Sequence, residues 1–167
     1  EELKKIRVNE QSDAGGLVIA MDQSHARRVA KLLEKMTGVM PVIVVSDDNN
    51  ASKKIEEFSK STQKWLVAVK MVSEGVDIPR LRVGVYATNI RSELFFRQAV
   101  GRFVRVQKNI SGDQRAYFYI PKEAVLVYYA KEIEYEREHY LNINDSDSIF
   151  ESEIERKKAE KDDERFE

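Results

Sequence analysis

Short apolar runs alternate with amphipathic stretches over the first 121 residues of the chain. Residues 22–36 and 92–106 carry apolar side chains three and four positions apart, as in helices with one buried face, and the polar stretch 47–60 runs into a short helix. Five runs have the length of buried strands, namely residues 15–21, 41–46, 65–70, 81–88 and 116–121. This alternation predicts an α/β fold: a doubly wound, mainly parallel sheet of about five or more strands with helices on both faces.

The pattern changes at both ends of this region. Residues 1–14 predict a lead-in helix or linker, residues 15–121 the α/β domain, and residues 122–167 a helical, acidic C-terminal extension. Within the extension, residues 122–141 are amphipathic, with an apolar face that we expect to dock on the sheet. Its predicted members are Val125, Tyr128 or Tyr129, and Ile133.

Composition excludes several classes of site. The chain has no cysteine, which rules out disulfides and cysteine nucleophiles, and its two histidines, His25 and His139, lie far apart, so we predict no metal site. No apolar run approaches the roughly 18 residues of a membrane span, and residues 1–10 have no signal-peptide pattern. We therefore expect no membrane partner and an intracellular, cytoplasmic protein, associated with the nucleoid if it is bacterial.

Charge is distributed unevenly along the chain. Residues 1–121 carry 20 Lys and Arg against 14 Asp and Glu, whereas residues 122–167 carry 8 against 15. A basic body is typical of proteins that bind a polyanion, but a charged surface without any partner explains the same numbers.

The segment "VSEGVDIP" follows the third predicted strand, where ligands of parallel sheets usually bind. Gly75 allows close backbone approach and Pro79 fixes the exit of the chain. Asp77, between two β-branched residues, can accept hydrogen bonds from ribose hydroxyls or simply cap a turn.

The segment "FFRQAVGRFVR" combines a core stripe with a cationic one. Gln98, Arg102 and Arg105 are four and three positions apart, so we expect them on one helix face, separate from the apolar stripe. Gly101 costs about 1 kcal/mol relative to alanine inside a helix, which suggests that backbone or ligand approaches it closely. Two guanidiniums and an amide suit an anion such as a phosphate chain, although a solvated polar face has the same pattern. The predicted core stripe consists of Phe96, Ala99, Val100 and Phe103.

Together the two segments resemble motifs V and VI in the second RecA-like domain of superfamily 2 helicases and translocases. Motif V has the form E-G-x-D-x-P, and motif VI has the form Q-x-x-G-R-x-x-R. The lead-in "NIRSELFF" is similar to the type III restriction and DNA-repair branch of that family. The matching positions are Glu74, Gly75, Asp77 and Pro79 for motif V, and Gln98, Gly101, Arg102 and Arg105 for motif VI.

For nucleotide binding, the resemblance implies that Arg105 is an arginine finger that reaches the γ-phosphate. Arg102 would support the phosphates or pair with an acid of a partner domain, and Gln98 would couple the nucleotide to the domain interface. Asp77 would contact the ribose. Glu74, Gly75 and Gly101 would lie against the nucleotide.

For nucleic-acid binding, the resemblance implies backbone contacts that tolerate any sequence and weaken with salt, to DNA or RNA. The expected residues are Asp22, Gln23, Ser24, Val72, Ser73 and Arg91. Many relatives carry a phosphate-binding threonine where this chain has Val69, so that contact is not expected here.

The sequence contains no G-x-x-x-x-G-K-[ST] loop and no DExx box. The resemblance therefore implies that ATP and Mg²⁺ are held mainly by an N-terminal RecA-like domain of a longer parent chain, and that this chain alone is inactive. Two alternatives to a motor domain remain: a non-catalytic regulatory or interaction module with the same fold, and a Rossmann-like enzyme, which the missing glycine-rich loop disfavours.

Overall fold

A single five-stranded sheet forms the centre of the computed structural model, which describes residues 1–45, 47–69, 77–103 and 115–139. The order across the sheet is β2-β3-β1-β4-β5, and every pair of neighbours runs parallel. The predicted parallel α/β fold is confirmed, and each predicted strand end lies within two residues of the observed one. The strands are β1 (Gly15–Ala20), β2 (Val42–Val44), β3 (Trp65–Val69), β4 (Leu81–Ala87) and β5 (Tyr117–Tyr119).

Five helices accompany the strands in the described part of the chain. They are α1 (Glu2–Asn9), α2 (Gln23–Thr37), α3 (Ala51–Lys60), α4 (Glu93–Gly101) and α5, which covers residues 124–139. The chain divides into two compact units, residues 1–127 and residues 128–167. In the first unit Leu126 is the buried residue of α5, whereas the predicted Val125 is only partly buried.

One face of the sheet is covered by α1 and α2. The small residues Ala26 and Ala30 let α2 pack closely on Val18 of β1 and Val67 of β3. On the same face, Leu3 and Ile6 of α1 pack beside Val83 of β4. The apolar spacing of residues 22–36 also predicts a buried side chain for Met36 near the end of α2, but Met36 is 73% exposed.

The opposite face is covered by α3 and α4. Gly84 of β4 leaves space for the rings of Phe103 and Phe118, which would clash with any side chain at this position. Next along β4, the ring of Tyr86 lies 5.4 Å from that of Phe96 in α4. Phe58 of α3 lies against the same side of β1, and the predicted helices on both faces are confirmed.

All strands begin at one edge of the sheet and end at the other, since all are parallel. We call these the amino edge, where Gly15, Trp65 and Leu81 open their strands, and the carboxyl edge, where Ala20, Val44 and Ala87 close theirs. Helices return the chain from the carboxyl edge to the amino edge.

Candidate functional site

The loop after β1 and the first turn of α2, at the carboxyl edge, hold three of the predicted nucleic-acid residues. Asp22 caps α2, because its carboxylate accepts the backbone N–H of His25 at 2.7 Å. The Gln23 amide donates to the carboxylate of Asp47, which follows β2, at 2.6 Å. The hydroxyl of Ser24 accepts a hydrogen bond from Arg28. The structure thus brings the loops after β1 and β2 together through side chains that remain at least partly exposed.

The loop after β4 lies at the same edge and carries the predicted residue Arg91. Its guanidinium makes a two-pronged ion pair with Glu123, at 2.7 and 3.1 Å, and a third hydrogen bond to the carbonyl of Asn89. The side chain is still 55% exposed. Arg91 therefore first serves to fasten this loop to the start of α5, and its exposed surface is what remains for a ligand.

Tyr86 stabilises the loop after β4 through a hydrogen bond. Its hydroxyl donates to the carbonyl of Ile90 at 2.7 Å, and burial raises the pKa of Tyr86 to about 12. Thr88, between them, is 5% exposed, and its hydroxyl has no hydrogen-bond partner in the described part of the chain.

Asp77 does not lie at the carboxyl edge, contrary to the prediction from the general behaviour of parallel sheets. Its backbone carbonyl accepts the hydroxyl of Ser59, in the last turn of α3, at 3.2 Å. Four residues later the chain opens β4, after a turn in which Leu81 donates to the carbonyl of Ile78. Asp77 is exposed beside the amino edge, on the side of the sheet that α3 covers.

Arg80, which the sequence analysis did not single out, fixes this segment in place. It is 3% exposed. Its guanidinium donates twice to the carbonyl of Phe58, at 2.7 and 3.1 Å, and once to the carbonyl of Asp13, at 2.7 Å. It also lies over the Phe58 ring, 4.1 Å from the centroid. Desolvation lowers the pKa of Arg80 to about 10, so the group is still charged at neutral pH.

Arg82 is a second buried cation at the amino edge that sequence reasoning missed. It is 4% exposed and bonds to the Arg115 carbonyl at 2.7 Å, the Gln11 amide oxygen at 3.1 Å and the Glu10 carboxylate at 2.8 Å. The only sequence signal for both residues was the presence of arginine next to the apolar run of β4.

The helix α4 separates its residues into the two predicted stripes. Phe96 and Ala99 are buried, as is Phe103 just beyond the helix, whereas Gln98 and Gly101 are exposed. The helix ends at Gly101, and Arg102, which the sequence placed inside the helix, follows in a tight turn and is partly buried. The predicted helix residues 104–106 lie outside the described part of the chain. Because Phe96 packs near Tyr86 and Phe103 near Gly84, the helix runs back from the carboxyl edge towards the amino edge.

Gly101 stands at the helix end, where a glycine costs less than inside a helix. A methyl group built on it would meet nothing within 4 Å in the described part of the protein. The close neighbour predicted for Gly101 is therefore not found among those residues.

Five predicted site residues lie outside the residues that the structure describes. They are Val72, Ser73, Glu74, Gly75 and Arg105.

Neither a metal centre nor a membrane span is found in the described ranges. Across these ranges no three His, Cys, Asp or Glu side chains converge on a possible ion site. Of the helices in the same ranges, none is both long and apolar enough to cross a bilayer.

Comparison with known proteins identifies the family. The family model described as "Helicase conserved C-terminal domain" matches residues 1–107. Uncharacterized proteins of Mycobacterium leprae and Mycobacterium tuberculosis are 50% identical over 129 residues, which is 77% of this chain and 21% of theirs. The chain thus spans about a fifth of the length of these relatives.

Solved structures show the same fold at low sequence identity. A putative HsdR subunit of a type I restriction enzyme from Vibrio vulnificus has a TM-score of 0.59 and 20% identity, over 77% of this chain and 27% of that one. The second domain of the DEAD-box helicase Mss116p, bound to an RNA duplex, has a TM-score of 0.55 and 15% identity, over 71% and 46%. The Hef helicase domain of Pyrococcus furiosus has a TM-score of 0.51 and 18% identity, over 77% and 26%.

Proposed function

Because the chain belongs to the family of helicase conserved C-terminal domains, we propose that it is the second motor domain of an ATP-dependent nucleic-acid helicase or translocase. The observation that carries the proposal is the placement of Asp77, Gln98 and Arg102. The two helices beside them, α3 and α4, cover the same face of the sheet, and both run towards the amino edge. Polar groups from motifs V and VI thus share one side of the domain.

In this proposal that side is one wall of a nucleotide cleft. Asp77 contacts the ribose, Gln98 and Arg102 contact or support the phosphates, and Arg105 reaches the γ-phosphate as the arginine finger. Glu74, Gly75 and Gly101 line the same wall. The exposed amide and the carboxylate suit a nucleotide, but no described acid cluster suits Mg²⁺, so the metal and most of the ATP belong to the other domain.

The carboxyl edge is the proposed track for DNA or RNA. Asp22, Gln23 and Ser24 lie there at the start of α2, and Arg91 lies in the loop after β4. Val72 and Ser73 belong to the segment after β3 in sequence. Hydroxyl, amide and guanidinium donors suit phosphate and sugar oxygens of any sequence. The RNA-bound DEAD-box domain and the restriction subunit among the similar structures support a nucleic-acid partner in general.

In this proposal, nucleotide and nucleic acid bind at separate places on one domain. Contacts of Arg102 and Arg105 with ATP on the N-terminal domain bring the two domains together, and ATP hydrolysis lets them separate. Repeated closure shifts the carboxyl edge relative to the other domain and steps the pair along the strand.

ATP hydrolysis by the isolated chain and by its full-length parent tests this proposal. Residues 1–167 alone should show no turnover above background, whereas the parent should hydrolyse ATP faster when single-stranded nucleic acid is added. Turnover by a clean preparation of the isolated chain would contradict the proposal that this chain carries only part of the ATPase site. A parent protein without nucleic-acid-dependent ATPase activity would instead favour the non-catalytic interaction module.

A further inference from the structure

The segment that carries Asp77 is held by contacts from two parts of the fold, the last turn of α3 and the residues that lead into β1. Ser59 bonds to the Asp77 carbonyl, and the adjacent Phe58 carbonyl receives two bonds from Arg80. Arg80 also bonds to the Asp13 carbonyl, just before β1. Residues 77–80 are thereby tied at both ends to the last turn of α3 and to the start of the central strand.

The fold makes room for this guanidinium. A methyl group built on Gly15 would lie 2.9 Å from Nη1 of Arg80 and 3.5 Å from the Phe58 ring. The backbone N–H of Gly15 also donates to the Arg80 carbonyl at 2.7 Å. The start of β1 therefore contacts the backbone of Arg80 and leaves space for its guanidinium. An alanine at position 15 would have to push the guanidinium away from its carbonyl partners.

A cation with all these bonds is suited to hold a loop rather than to bind a ligand. Arg80 is 3% exposed, and the planar fork of an arginine reaches two carbonyls at fixed angles, which lysine cannot do. Burial that lowers the pKa of Arg80 to about 10 leaves its charge in place at neutral pH, so these bonds are charge-assisted.

We propose that Arg80 is a positioning residue for nucleotide binding: by clamping residues 77–80 to the end of α3, it sets where the Asp77 carboxylate meets the ribose. The inference rests on the proposed nucleotide role of Asp77. The position of the Asp77 carboxylate against the ribose then depends on a buried arginine that does not itself touch the nucleotide.

The test measures steady-state ATPase kinetics of the full-length parent with two nucleotides, ATP and 2′,3′-dideoxy-ATP. Arg80→Met should raise the KM for ATP about tenfold, equivalent to ~1.4 kcal/mol, with kcat within about twofold, since a ribose contact is kept from ground state to transition state. With the dideoxy nucleotide, which lacks the ribose hydroxyls, the same variant should change KM little. A general structural role would raise KM for both nucleotides alike and would overturn the proposal.

Arg82→Met is the matched control, because Arg82 is buried to the same degree but bonds to Glu10, Gln11 and Arg115 instead. At a temperature where circular dichroism shows both variants folded, its KM for ATP should equal that of the unchanged protein. An equal rise in KM for both arginine variants would contradict a specific role of Arg80.

Two further variants keep the test decisive. If Arg80→Met does not fold, Arg80→Lys and Gly15→Ala should show the same dependence on ribose hydroxyls, and its absence in both would overturn the proposal. Asp77→Ala separates the two levels of the argument. If Asp77→Ala leaves the KM for ATP unchanged, the nucleotide role of Asp77 itself fails; if it raises KM while the Arg80 variants do not, only the positioning inference fails.

Discussion

At the amino edge of the sheet, the guanidiniums of Arg80 and Arg82 are almost completely buried, and each donates to at least one backbone carbonyl that is distant in sequence. Arg82 also bonds to the side chains of Gln11 and Glu10. At the carboxyl edge, Gln23 and Arg91 bond instead to carboxylates of neighbouring loops, and their side chains stay partly exposed. Separating a buried cation from its carbonyls leaves buried polar groups unpaired at a large cost in free energy, whereas an exposed donor can exchange its partner for a ligand. The amino edge thus gives rigidity, and the carboxyl edge offers exchangeable contacts.

This contrast also changes how the charge of the chain is understood. The positive excess of residues 1–121 suggested a polyanionic partner, but Arg80 and Arg82 contribute to it while being almost completely buried. These two guanidiniums form their hydrogen bonds inside the fold. Counts of basic residues therefore overstate the basic surface that a nucleic acid would meet.

The largest expected effect on stability concerns the amino edge. Arg82→Met should lower the free energy of unfolding by about 3 kcal/mol, because it leaves the Arg115 carbonyl and the Gln11 amide without their donor. Denaturant unfolding of residues 1–167 measures this.

Arg97→Met is the matched control for that measurement, because Arg97 on α4 is partly exposed and pairs with Glu93, four residues earlier in sequence. We expect a change of at most ~0.5 kcal/mol. Equal effects of the two substitutions would show that burial of arginine at the amino edge contributes no special rigidity.

A smaller effect is expected at the carboxyl edge. Gln23→Ala in the full-length parent should weaken binding of single-stranded DNA or RNA about fivefold, or ~1 kcal/mol, because a neutral donor to the backbone is lost. The salt dependence of binding should be unchanged, since no cation is removed. Fluorescence anisotropy with a labelled oligonucleotide at two salt concentrations gives both quantities.

Gln63→Ala serves as the control, because Gln63 is an exposed residue of the same type just before β3, at the amino edge. Its affinity for nucleic acid should stay within experimental error of the unchanged protein. If both glutamine variants bind equally well, the carboxyl edge is not the track.

Much of the fold could be predicted because its signals are local. The spacing of apolar residues fixed the five strands and the buried stripe of Phe96, Ala99 and Phe103, since both depend on neighbours along the chain. The helix α5, at residues 124–139, followed from the same spacing.

The errors concern contacts between distant parts of the chain. Met36 has the spacing of a core residue but is 73% exposed. Asp77 was placed at the carboxyl edge because motif V follows β3, yet the chain crosses to the amino edge before β4 begins. The partners of Arg80 come from residues 22 and 67 positions away, and no sequence spacing reports such pairs.

The ATP turnover of Arg105→Ala in the full-length parent tests the central claim most directly. Arg97→Ala serves as the control, since Arg97 is an arginine of α4 that pairs with Glu93. The account predicts that Arg105→Ala binds ATP with nearly unchanged affinity but turns it over about 10³-fold more slowly, while Arg97→Ala keeps normal turnover. Unchanged turnover in Arg105→Ala, with the protein folded and ATP bound, would contradict the proposal that this chain supplies the arginine finger of the ATPase site.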